Sequence, residues 1–135
     1  MTYETIEEAF FFVSGGPPYE CTAVVNCVTG ESFYASEMAG YDEIHEDAEG
    51  NDDYLWIPHK NDLDLGKPLV MDFILHRCPD LYDQITTIFR RKGAYGRFKD
   101  LLERKGLLQE WYAFEEEKTR ERLLRWCEEN GVVLE

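Results

Sequence analysis

Apolar residues near the start of the chain recur at helical spacing. Ile6, Phe10 and Val13 fall on one face of a helix over residues 3–13. The run GGPP at residues 15–18 supplies residues that end helices. The pattern therefore predicts a short N-terminal helix followed by a sharp break.

The next segments have the composition of strands. Residues 21–28 and 31–37 are rich in β-branched and aromatic residues, and Thr-Gly at residues 29–30 supplies a turn between them. A third apolar run, residues 54–57, is closed by a proline. Together these runs predict a three-stranded antiparallel sheet within residues 19–57.

Beyond the strands, the apolar period changes from two residues to 3.6. Four stretches within residues 67–129 have apolar residues on one face, and they are separated by a proline or by glycines at 93 and 106. Strands followed by helices are typical of an α+β fold, with a small antiparallel sheet in the N-terminal half packed against a C-terminal helical half. The length of 135 residues predicts a single domain, 1–135.

Charge divides the chain at the same place as the periodicity. Residues 1–64 hold 15 acidic residues and one basic residue, whereas residues 65–135 hold 13 of each, so the acidic strand-rich half carries the whole net charge of −14. We therefore expect the surface as a whole to repel nucleic acid. Acidic residues are densest in residues 41–53. The loop over residues 38–53 that contains them has a spacing that does not match an EF-hand, and we expect it to be solvated and mobile and to bind no metal.

Several features predict a cytoplasmic location. The opening MTYETIEEAF is acidic where a secretory signal would be basic, and no apolar stretch approaches the ~20 residues that a membrane span requires. No two of the four cysteines are spaced as a Cys-x-x-Cys motif. We therefore expect buried, reduced thiols that bind no metal.

A basic and aromatic run, RRKGAYGRFK, gives the first candidate site. Interleaved bases and aromatic rings can receive an anionic partner or single-stranded nucleic acid. Alternatively, Tyr95 and Phe98 belong to the core while the bases pair with acids such as Glu103 and Glu115, and the run taken alone favours this second interpretation. The candidate partner-binding residues are Arg90, Arg91, Lys92, Tyr95, Arg97 and Lys99.

A polar cluster, HKNDLDLGK, gives the second candidate. His59, Asn61, Asp62 and Asp64 lie close enough in sequence for acid–base or metal chemistry. However, Asn and Asp are also typical helix caps, and the intervening leucines look like core residues. The cluster taken alone favours capping and structure.

Several segments resemble one known family. They are EAFFFVSGGPP, VTGESFYASE, IPHKNDLDLGK, IFRRKGAYGRFKDLL, EWYAFEEEK and RWCEENGVVL. Through them the chain resembles the bacterial uncharacterised protein family 0158 over nearly its whole length. The resemblance implies a bacterial origin. It brings no catalytic residues, because no activity comes with the family.

These observations lead to three hypotheses of function. The first is a non-enzymatic module that binds an unknown macromolecular partner, needs no cofactor and does not engage a membrane. The second is an enzyme of unknown type centred on residues 59–64, and the third is an acidic mimic of nucleic acid formed by residues 37–53. A deep polar pocket at residues 59–64 would favour the enzyme, and an exposed helical face bearing Arg90, Arg91 and Arg97 would favour the module. Oligomeric state is not encoded in any recognisable pattern.

Overall fold

The computed structural model describes all 135 residues and contains five α-helices and one four-stranded antiparallel sheet. The helices are α1 (Tyr3–Ser14), α2 (Lys67–Arg77), α3 (Tyr82–Ile88), α4 (Ala94–Arg104) and α5 (Leu108–Glu129). The strands are β1 (Cys21–Asn26), β2 (Ser32–Ser36), β3 (Tyr41–Asp42) and β4 (Tyr54–Trp56). The predicted α+β class is confirmed, and the sheet has one strand more than predicted.

The chain forms two compact units. The first comprises residues 1–63 and 121–135, and the second comprises residues 64–120, so α5 contributes residues to both. The first unit carries 18 acidic and 3 basic residues, a net charge of −15, whereas the second carries 10 acidic and 11 basic residues. The C-terminal residues thus group with the acidic half, which the predicted division at residue 64 did not anticipate. That residues 1–135 form a single domain stays a prediction.

The central strand of the first unit is β1, in the strand order β3-β2-β1-β4. Val24 of β1 lies opposite Phe33 of β2 and Trp56 of β4. Ala23, Val24 and Val25 are all buried, although consecutive strand residues point to opposite faces. Both faces of β1 are therefore covered.

Two different segments cover these faces. On one face, Phe12 of α1 meets Tyr34 of β2 edge to face, with ring centroids 4.8 Å apart. The neighbouring Phe33 points to the other face, where its ring lies 5.4 Å from that of His45. The sheet is thus enclosed by α1 on one side and, on the other, by residues 38–53, which we call the acidic segment.

The acidic segment is therefore not the mobile loop that its composition predicted. It contains β3 and a 3-10 helix, Glu46–Ala48, and Ala48 is completely buried. The carboxylates of Glu46 and Asp47 remain exposed. The prediction of solvated charges holds, but it overlooked that one alanine and one histidine ring anchor the segment on the sheet.

The second unit is built around aromatic rings. Trp111 of α5 packs edge to face against Phe73 of α2 and Phe98 of α4, with centroid distances of 5.4 and 5.1 Å. Phe89, which follows α3, contacts Phe98 at 5.8 Å. Such edge-to-face contacts contribute about 0.5–1.5 kcal/mol each beyond area burial. One aromatic cluster thus joins the helices of this unit.

The cysteines differ in exposure. Cys78 and Cys127 are buried as predicted, Cys21 is half-buried, and Cys27 is exposed, which corrects the prediction of four buried thiols. The side-chain oxygen of Asn26 accepts the backbone N–H groups of Val28 and Thr29, so the chain turns immediately after β1. Cys27 consequently lies in the turn and not in the strand.

We expect the four thiols to react with iodoacetamide at very different rates. The thiolate is the nucleophile, and burial raises the pKa of the Cys78 and Cys127 thiols, the former with smaller contributions from Glu110 and Asp80. Site-resolved mass spectrometry should show Cys27 reacting at least about tenfold faster than either buried thiol in the folded protein. Labelling of Cys78 or Cys127 at the rate of Cys27 would contradict the structure.

Alkaline pH should weaken the fold partly through Cys127. Burial raises the pKa of this thiol above its ordinary value of 9.0, so the folded state holds the proton more tightly than the unfolded chain does. Its contribution to stability is complete below the unfolded pKa and is lost as pH rises through the folded pKa. Urea denaturation between about pH 8 and about pH 10.5 should show a shallower decline for Cys127→Ala than for wild type. The matched variant Cys27→Ala should keep the wild-type slope, and equal slopes in all three proteins would refute the assignment.

Candidate functional site

Three consecutive bases lie on an exposed turn between α3 and α4. We call Arg90, Arg91 and Lys92 the basic turn. All three side chains are exposed, and none forms an ion pair. Gly93, with φ of +73°, follows them and precedes α4, a backbone conformation that glycine adopts without strain. The alternative interpretation, in which these bases form ion pairs with acidic residues, is therefore wrong for the basic turn.

The turn also lies at an electrostatically unfavourable place for cations. The N-terminus of a helix carries a partial positive charge that favours acidic neighbours. α4 has no acidic residue in its first turn and no side-chain cap, yet three cations precede it. The positive field of the helix end and that of the basic turn therefore add.

The side chains of Arg97 and Lys99, two further candidates of this run, interact with other groups of the protein. The guanidinium of Arg97 donates to the backbone carbonyl of Lys92, which closes the turn onto the first part of α4. The ammonium of Lys99 lies 5.6 Å from the centre of the Tyr112 ring. Arg97 therefore helps to shape the basic turn, whereas Lys99 connects α4 with α5.

Tyr95 and Phe98, the two aromatic residues of the run, have different environments. Phe98 is fully buried, as the core interpretation predicted, but Tyr95 remains 37% exposed and meets Phe89 edge to face at 5.1 Å. The pKa of the Tyr95 hydroxyl is raised, mainly by burial and to a smaller extent by the negative charge of Glu115. Tyr95 is therefore a partly exposed ring on the same helix as Arg97.

In the polar cluster, the ring of His59 forms hydrogen bonds to the backbone of the protein itself. The His59 ring is buried; its Nδ1 accepts the backbone N–H of Asn61 at 3.0 Å, so Nε2 carries the hydrogen and donates to the carbonyl of Gly16 at 2.8 Å. Because both ring nitrogens have partners, neither is available to a substrate. The ring connects the segment after β4 with the break after α1.

The neighbouring residues support the same connection. Asp62 accepts the backbone N–H of His59 at 3.0 Å, and the hydroxyl of Ser14 accepts that of Lys60 at 3.0 Å. Asn61 is exposed, and Asp64 is exposed with φ of +56°. The structural interpretation thus fits Asp62, which holds the backbone of His59, but neither Asn61 nor Asp62 caps α2, whose N-cap is Gly66 without a side-chain cap.

A cavity of about 440 Å³ lies in the first unit beside this cluster. Its wall includes His59 and Asp62, but the other lining residues come from outside the predicted set: Val13, Pro18, Tyr19, Cys21, Thr22, Glu49, Trp56 and Ile57. The deep polar pocket at residues 59–64 that would have favoured the enzyme is thus not what this cavity provides, because only His59 and Asp62 of that segment line it. The positions of two aromatic residues, Tyr19 directly after the GGPP break and Trp56 near the end of a predicted strand, were the signal that the sequence offered.

Two further observations bear on the kind of site. No group of three or more His, Cys, Asp or Glu side chains is placed to hold a metal ion. None of the helices combines the length and apolar character needed to cross a membrane.

Comparison with known proteins assigns the family. The model of an uncharacterised protein family, UPF0158, matches residues 25–134. The chain belongs to this family. No curated protein and no solved structure matches it. The UPF0158 match includes the basic turn and the His59 cluster, whereas Tyr19 and Cys21 of the cavity lie before its first residue.

Replacement of His59 should reveal its structural role. His59→Ala leaves the Gly16 carbonyl and the Asn61 N–H without their partner, so the free energy of unfolding should fall by about 2–3 kcal/mol. His76→Ala is the matched control, because His76 is exposed and bonds only to the carbonyl of Asp72 in its own helix. That variant should change stability by no more than about 0.5 kcal/mol. Urea denaturation measures both, and an unchanged midpoint for His59→Ala would overturn the assignment.

Proposed function

We propose that this chain is a non-enzymatic interaction module that binds an anionic macromolecule through the basic turn, Arg90–Lys92. The observation that carries the proposal is that these three adjacent cations are exposed, lack ion pairs and precede the positive end of α4. We propose further that the module acts in the cytoplasm of a bacterium.

Stability alone does not account for the basic turn. An acidic residue beside a helix N-terminus gains about 0.3–1 kcal/mol from the helix dipole, and a cation there loses a similar amount. The sequence therefore gives up some stability in order to place positive charge on an exposed turn. Such a trade is typical of binding residues.

The charge of the rest of the chain narrows the class of partner. The first unit has a net charge of −15, so an extended polyanion is repelled by most of the molecule. A partner with its negative charge confined to a small surface meets the basic turn without that penalty. We therefore favour a protein with a local acidic or phosphorylated segment over bulk nucleic acid.

An enzymatic role has less support. Its acid–base candidate, His59, uses both ring nitrogens within the protein, and Asn61 and Asp64 are not among the residues that line the cavity. The side chains of the basic turn, by contrast, are already exposed to a partner. This difference favours the binding module.

Charge reversal of the turn gives the central test. We expect Arg90→Glu with Arg91→Glu to abolish capture of the partner from the native host, because the partner's anionic groups would face two carboxylates. The melting temperature should stay equal or rise slightly, because the bases form no ion pairs and acids suit a helix N-terminus. Affinity purification with quantitative mass spectrometry identifies the partner, and calorimetry measures stability.

The matched control reverses two bases beyond the basic turn. Arg104→Glu with Lys105→Glu makes the same change in net charge at the opposite end of α4, and both residues are exposed. This control should retain the partner, and wild-type capture should weaken steeply with salt. Retention of the same partner by the Arg90/Arg91 variant would exclude the basic turn. A fall of more than about 10 °C in that variant would show that the turn is structural.

A further inference from the structure

Tyr19 occupies a position that its side chain does not suit. The backbone N–H of Glu20 donates to the carbonyl of Pro17 at 3.3 Å, so Tyr19 is the third residue of a tight turn. Its φ is +73°, a value that such turns normally assign to glycine or asparagine and that is strained for an aromatic residue. Moreover, its side chain is 88% exposed, so core packing does not compensate for the strain.

The strained tyrosine borders the 440 Å³ cavity of the first unit. A second aromatic residue, Trp56 on the edge strand β4, lines the same cavity and is 45% exposed. A volume of this size matches the small-molecule sites of proteins, which span roughly 300–1,000 Å³. Two incompletely buried aromatic rings therefore face a space large enough for a ligand.

The charged groups of this cavity have one sign. Glu49 and Asp62 line it, and no Lys or Arg does. Glu49 forms no ion pair, and Asp62 uses one carboxylate oxygen to accept the N–H of His59, which leaves its second oxygen. The imidazole of His59 contributes no positive charge, because its Nδ1 accepts a hydrogen bond. The cavity thus combines aromatic faces with unneutralised carboxylates.

From this combination we propose that the cavity binds an organic ammonium group. The faces of tryptophan and tyrosine rings attract cations, and the attraction is strongest where the cation is partly desolvated. Carboxylates add Coulombic attraction, and the apolar wall accommodates the alkyl body of an amine. A bare metal ion would need several convergent oxygen or nitrogen ligands, and no such group of side chains is present. The site lies in the first unit, whereas the basic turn belongs to the second.

The first experiment titrates the full chain with choline and, separately, with dimethylbutanol, in which an uncharged tert-butyl group replaces trimethylammonium. Heteronuclear NMR follows the indole N–H of Trp56 and the backbone amide of Tyr19. Choline should shift both signals and bind roughly tenfold more tightly than its uncharged isostere. Equal affinity for the two compounds, or no shift at either residue, would overturn the proposal.

A second arm distinguishes a free amine from a lysine side chain. The probe is lysine blocked as an N-acetyl methylamide, which mimics a lysine within a peptide. Tighter binding of choline would identify the ligand as a free amine, and tighter binding of blocked lysine would identify it as a protein side chain. Both outcomes retain the ammonium group as the recognised chemistry.

Two variants test the residues of the wall. Tyr19→Gly removes one ring and suits the positive φ, so choline should bind at least about threefold more weakly while the melting temperature does not fall. Glu49→Gln should weaken choline binding by about three- to tenfold without affecting dimethylbutanol. Glu46→Gln is the matched control, since Glu46 is an exposed acid of the same segment that does not line the cavity. Equal choline affinity in Glu49→Gln and Glu46→Gln would exclude the cavity as the ammonium site.

Discussion

Burial of the central strand β1 on both faces governs the construction of the first unit. Ala23, Val24 and Val25 can all lose contact with water only if separate segments cover the two sides of the sheet. α1 covers one side, and the acidic segment is drawn over the other despite its charge, with Ala48 as its buried contact. The coverage is incomplete at the start of the strand, where Cys21 and Thr22 line the 440 Å³ cavity. The cavity is thus a consequence of how the strand is enclosed.

The parts of the fold that sequence reasoning predicted are those with a local periodic signal. The helical spacing of Ile6, Phe10 and Val13 located α1, and similar spacing located the four helices within residues 67–129. β3 was missed because it has only two residues, both exposed, and therefore no alternation to detect. The burial of Ala48 was missed because a single alanine among acids carries no periodicity. Cys27 was misplaced because the side chain of Asn26, not an apolar pattern, ends β1.

The candidate site was predictable only in part, for a related reason. The residue types of the basic turn were visible in the sequence, but their freedom from ion pairs depends on where every carboxylate of the fold lies. The role of His59 depends on the carbonyl of Gly16, 43 positions earlier in the chain. The strained φ of Tyr19 leaves no trace in composition, because tyrosine is an ordinary residue at the start of a strand. Long-range contacts and backbone dihedrals therefore had to come from the structure.

The three polar features of the chain differ in how they relate to stability, and this difference separates structure from function. His59 is a buried polar residue whose two ring nitrogens are both satisfied, so its position is explained by the contacts that it makes. Tyr19 and the basic turn are exposed and stand where local preferences favour glycine and acidic residues, respectively. Neither gains packing or ion pairs in exchange. Departures from local preference that the rest of the fold does not compensate are expected where a protein meets a ligand or partner. On this criterion the exposed tyrosine and the exposed arginines are the residues for which we propose a binding role, whereas the contacts of the buried histidine already explain its position.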